Sequence, residues 1–126
     1  MRILLALLLT LLLPMAAGAQ AMTEPAKIEA LIASVEHLPG AVFIRNGSEY
    51  NGEKAAQHLR AKWKYAGKRV KTAEDFILCC ASVSSMSGTK YQIRFADGRT
   101  VYAGDYFHQQ LRRIEAGPAP AAVAKP

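Results

Sequence analysis

The chain has 126 residues, 51 % of them apolar, and a formal net charge of +6. That is one domain's worth of chain, long enough to bury a core without disulfide or metal staples. A basic surface draws anions such as envelope glycans, phospholipid headgroups, acidic proteins or nucleic acid, while saying nothing of fold.

The N-terminus carries an address. Met1-Arg2 precedes an apolar run from Ile3 to Leu13, broken only by Thr10, after which come Pro14 and the small residues Ala16-Ala17-Gly18-Ala19-Gln20-Ala21. A short positive end, a short apolar middle and an Ala-x-Ala exit describe a cleavable signal peptide over residues 1–21, cut after Ala19 or Ala21. The run is shorter than the roughly 20 apolar residues that span a bilayer. No cysteine follows either site to take a lipid, so no stable membrane anchor is expected after cleavage. Cleavage removes one basic residue, Arg2, and no acid, which leaves a mature charge of +5.

Residues 22–116 then read as a single α+β domain. Thr23 caps a first helix with Pro25 in its first turn, and Ile28, Leu31, Ile32, Val35 and Leu38 form its apolar stripe up to Pro39-Gly40. Ala41 to Ile44 is a strand, Asn46-Gly47 a hairpin turn, and Ser48 to Tyr50 the return strand. Asn51 caps a second helix that buries Ala56, Leu59, Trp63 and Ala66, shows Lys54, His58, Arg60, Lys62 and Lys64 elsewhere, and stops at Gly67. Lys68, Arg69 and Lys71 prolong the basic cluster. Thr72 caps a third helix with Glu74 and Asp75 in its first turn and Phe76, Ile77, Cys80 and Val83 facing inward. Ser82 to Gly88 is a serine-rich loop. Tyr91, Ile93 and Phe95 alternate with polar residues as a strand, Asp97-Gly98 turns it, and Thr100 to Tyr102 returns. Asp105 is expected to cap a last helix carrying Phe107, Leu111 and Ile114. Residues 117–126 are an Ala/Pro-rich tail, expected to be disordered.

This order predicts two antiparallel β-hairpins forming a small sheet packed with about four helices. Tyr50-x-Gly52 with Leu59-Arg60 returns as Tyr102-x-Gly104 with Leu111-Arg112 at an offset of 52 residues, a weak hint of duplication.

Strings along the domain resemble a known family. Phe43-Ile44-Arg45-Asn46-Gly47, His58-Leu59, Thr72-Ala73-Glu74-x-Phe76-Ile77 and Ala81-Ser82-x-Ser84-Ser85-x-Ser87-Gly88-x-x-Tyr91 are similar to the YfeK-like proteins, from about Glu24 to Leu111. The resemblance implies a signal-bearing periplasmic protein of a Gram-negative bacterium. It supplies no activity.

The cysteines, Cys79 and Cys80, are adjacent. Neighbouring Cα atoms lie about 3.8 Å apart, closer than disulfides prefer, so packed thiols are expected. No metal is expected, because His37, His58 and His108 lack partners at ligand spacing, and no cofactor motif is visible. Trp63 and Tyr65 among basic residues suggest a nucleic-acid platform, but Trp63 falls on the core face and the export signal argues against that partner.

A binding surface is expected from Arg45 and Asn46 on the hairpin, His58 and Lys62 on the second helix, and Ser84, Ser85, Ser87 and Gly88 in the serine loop. Arginine on a rigid turn suits carboxylate or phosphate, and hydroxyls with backbone N–H groups in a tight loop suit anions. The expected function is a non-enzymatic module for a periplasmic protein partner or a small anionic ligand. The rivals are a hydrolase or transferase with Ser85 as nucleophile and His58 as base, and a purely structural envelope protein. No Gly-x-Ser-x-Gly elbow supports catalysis, so no catalytic residue is assigned.

Overall fold

A computed structural model describes residues 21–117. The expected signal peptide and tail lie outside the described residues, except for Ala21 and Gly117. Helix α1 (Glu24–Glu36) starts where the Thr23 side chain accepts from the Ala26 N–H at 3.3 Å, and it buries Ile28, Leu31, Ile32 and Val35. Strands β1 (Val42–Arg45) and β2 (Ser48–Asn51) follow, joined by a turn in which Asn46 (φ 51°) and Gly47 (φ 77°) both take left-handed backbone. That is the conformation an Asn-Gly hairpin turn requires. Asn51 then caps helix α2 (Gly52–Ala66) by accepting from the Lys54 N–H at 2.8 Å.

Helix α3 (Ala73–Phe76) opens on a capping box between Thr72 and Asp75. The regular helix expected beyond it does not continue. Ile77–Ala81 form a wider π-helical turn. Ser82 secures its end by donating to the Ile77 carbonyl at 2.6 Å. Strands β3 (Gln92–Arg94) and β4 (Thr100–Tyr102) lead into helix α4 (Ala103–Glu115). Asp105 is not its cap. Tyr102 holds the cap position without a side-chain bond, and Asp105 sits in the first turn. The Ala103 N–H already donates to the Tyr91 carbonyl at 2.8 Å, so the backbone running into the sheet starts this helix.

The sheet is antiparallel throughout, in the order β2-β1-β3-β4. Phe43 stands opposite both Tyr50 and Ile93, and Ile93 opposite Val101, so these residues share one face. The helices cover that face, around a core in which Phe76, Phe107, Leu31, Ile32 and Ile93 are all fully buried. Each such large apolar side chain contributes roughly 1.5–3 kcal/mol. Among the described residues the other face is open, and it carries Ile44, Gln92 and Tyr102, with the Arg94–Glu49 ion pair (2.8 Å) reaching across β1. The expected α+β fold is therefore present.

The arrangement strand, strand, helix occurs twice around the central β1–β3 pair, but the residue echo does not follow it. Tyr50 lies on the covered face opposite Phe43, whereas Tyr102 lies on the open face opposite Gln92. Gly52 is the first residue of α2 and Gly104 the second of α4. Gly52 has its own packing reason, because a Cβ there would collide with the Val35 and Glu36 carbonyl oxygens at the end of α1.

Candidate functional site

Asn46 and the serine loop do meet, and they bond to each other. Asn46 Nδ2 donates to Ser84 Oγ at 3.2 Å, and Ser87 Oγ donates to Asn46 Oδ1 at 2.7 Å. Ser84 Oγ also accepts from the Met86 and Ser87 N–H groups, both at 3.3 Å. The Gly88 N–H donates to the Ser84 carbonyl at 2.8 Å, and Gly88 takes φ 71°. Ser84 is 4 % exposed. These hydroxyls are engaged in holding loop to turn, which is the capping use of serine.

Arg45, at the end of β1, is half-buried on the strand that leads into this turn. Its charge acts on His58, whose imidazole is pushed below the usual histidine range by burial first, then by Arg45 and Lys54. The His58 ring meets the Tyr50 ring edge-on, centroids 4.9 Å apart, and its buried Nε2 has no hydrogen-bond partner among the described residues. No hydrogen bond joins Ser85 to His58 among the described residues, though both border one cleft. Lys62 Nζ donates to the Tyr91 hydroxyl at 2.7 Å, anchored on a residue 2 % exposed. An ammonium has three donors, so two remain for another acceptor.

The cleft has a volume of about 460 Å³ and lies between α2 and the π-turn. Of the expected site residues it gathers His58, Lys62 and Ser85; Arg45, Asn46, Ser84, Ser87 and Gly88 are not on its walls. Asn46 instead borders a separate depression of about 370 Å³ on the open sheet face, beside Ile44, Lys90 and Tyr102. The rest of its wall comes from Ala61, Tyr65, Ala66, Arg69, the exposed Cys79 and the edge of the buried Cys80. The signal in the sequence is helical. His58, Lys62, Tyr65 and Arg69 follow one another at spacings of four, three and four, which is one face of α2 continued into the short turn Gly67–Arg69. The Arg69 guanidinium lies 5.8 Å from the centre of the Tyr65 ring, which is 87 % exposed. Cys80 is buried as expected, but Cys79 is exposed, so the adjacent thiols have different surroundings.

Charge around the cleft is one-sided. Glu24 and Glu115 pair with Lys27, Glu29 and Glu36 with Arg60, and Glu49 with Arg94. Among the described residues Lys62 and Arg69 enter no ion pair, and no carboxylate lines the cleft. Among those residues, too, no cluster of histidine, cysteine and acid could hold a metal.

Residues 22–115 match a family of unknown function, DUF5329. The chain is also similar to the uncharacterized protein YfeK of Salmonella typhimurium strain LT2, 40 % identical over 68 residues, which is 54 % of this chain and 57 % of that protein. No solved structure matches the chain. With the match running through every strand and helix described above, the chain belongs to the DUF5329 family.

Proposed function

We propose that this protein is a non-enzymatic, exported binding module whose cleft between α2 and the π-turn holds a small anionic ligand with an apolar body. The observation that carries this reading is the cleft itself: Lys62 and Arg69 beside Ala61, Ala66 and the exposed Tyr65 ring, with no ion pair to either cation and no carboxylate on the wall among the described residues. A concave, partly apolar site with a few fixed charges is how small ligands are bound and oriented. Its volume, about 460 Å³, lies within the range of small-ligand pockets. Periplasmic residence rests on the export signal in residues 1–21.

The test is a fluorescence titration of the purified protein with anilinonaphthalene sulfonate, an apolar anion, against uncharged phenylnaphthylamine. The anion is expected to bind more tightly, with the preference reduced by salt and by Arg69→Gln. Equal affinity for the two probes, or an unchanged preference in Arg69→Gln, contradicts the reading.

A further inference from the structure

Cys79 is exposed on the cleft wall, beside the cations that would receive an anion. We propose that Cys79 captures a small anionic disulfide by thiol–disulfide exchange, with Lys62 and Arg69 receiving the carboxylates of the half that stays bound. This rests on the anion-binding reading of the cleft and names its ligand class: low-molecular-weight thiols bearing carboxylates, presented as their disulfides.

The exchange is balanced without an added oxidant. The Cys79 thiolate attacks one sulfur of the incoming disulfide and forms a new S–S bond. The old S–S bond breaks, its electron pair leaves with the other half as a thiolate, and that thiolate takes up the proton Cys79 gave to solvent. One disulfide is consumed and one mixed disulfide is made.

Three features of the fold favour an adduct that lasts. Cys80 also borders the cleft, but at 1 % exposure it presents almost no surface to an incoming disulfide, whereas Cys79 is exposed. Burial, then the neighbouring Cys79, pushes the Cys80 thiol up to about 12, so it stays protonated and does not compete as a nucleophile. Cα atoms of neighbouring residues lie about 3.8 Å apart, below the usual 4.4–6.8 Å of a disulfide, so Cys80 is poorly placed to displace the bound half. A π-helical turn, the element that carries both cysteines, is a frequent location for functional residues.

The experiment incubates the purified protein with glutathione disulfide, which is anionic, or with cystamine, which is cationic. Intact mass and peptide mapping follow the modification, and each rate is divided by that of the urea-unfolded protein. The expected result is a glutathionyl group on Cys79, none on Cys80, and a normalised preference for glutathione disulfide of about tenfold at low salt, as electrostatic steering gives. The preference should shrink in Lys62→Gln and in Arg69→Gln. Arg69 is exposed, so its variant keeps the test readable if Lys62→Gln unfolds. Equal normalised rates, or modification centred on Cys80, overturn the proposal. S-methylglutathione, which cannot exchange, separates the two readings. If it binds the cleft while glutathione disulfide leaves Cys79 unmodified, the exchange falls and the anion site stands. If it does not bind and both disulfides react alike, both fall.

Discussion

Asn46 donates from Nδ2 to Ser84 Oγ at 3.2 Å, across 38 residues of sequence, and this bond ties the first hairpin to the serine loop. Ser84 is buried and collects further backbone donors from Met86 and Ser87. Removing its hydroxyl strands those donors. Ser84→Ala is expected to lower stability by about 1–3 kcal/mol in urea unfolding, and to speed amide exchange in the loop. Asn46→Gly keeps the left-handed backbone and loses the side-chain bonds, so it should cost less than Asn46→Ala, which loses both.

Gly52 is where the end of α1 meets the start of α2. A Cβ at this position meets backbone oxygens of Val35 and Glu36, which cannot swing away as a flexible side chain would. Gly52→Ala is expected to destabilise the domain by about 1–3 kcal/mol, the cost of overpacking, as read from the thermal or urea midpoint.

Stability should fall with pH in two stages. His58 is held neutral by burial and by the nearby charges of Arg45 and Lys54, so its folded value lies below its unfolded one. The unfolded chain then binds the extra proton, and stability drops as pH falls below about 6.5. Glu24, Glu36, Glu49 and Asp75 are lowered chiefly by hydrogen bonds, from Lys27, Arg60, Arg94 and the Lys71 N–H respectively. Their contribution is present above the unfolded carboxylate range and is lost as pH falls through their lower folded values, below about 4. Thermal midpoints across this range should show both stages, and His58→Leu should remove the upper one.

Lys62 serves both the fold and the cleft, and two variants separate the roles. Tyr91→Phe removes the hydroxyl that holds the ammonium at 2.7 Å, which should cost about 1 kcal/mol in stability while leaving the positive charge for an anion. Lys62→Gln removes the charge. Affinity for anilinonaphthalene sulfonate is expected to survive Tyr91→Phe and to fall in Lys62→Gln.

The fold was largely legible because local signals agreed with one another: Thr23, Asn51 and Thr72 each cap a helix, and Asn46-Gly47 makes the hairpin turn. Asp105 misled because a capping residue type says nothing of a tertiary bond, and the Tyr91 carbonyl starts α4. The site was legible only in part. His58 and Lys62 on the second helix and Ser85 in the serine loop stand out in the sequence as polar candidates, and they share a cleft. Asn46, Ser84 and Ser87 stand out on the same grounds, yet their polar atoms bond to one another. Residue type cannot separate a hydroxyl kept for a ligand from one used by the fold. Tyr65, Arg69 and Cys79 were missed because the cleft forms only when the π-turn packs beside α2.

Backbone amide NMR reports where an anion goes. Anilinonaphthalene sulfonate titrated into the purified protein should move the amides of Ala61, Lys62, Tyr65, Arg69 and Cys79 together, along one saturable curve. Shifts confined to Ile44, Gln92 and Tyr102 on the open sheet face, or none at all, would contradict binding in the cleft.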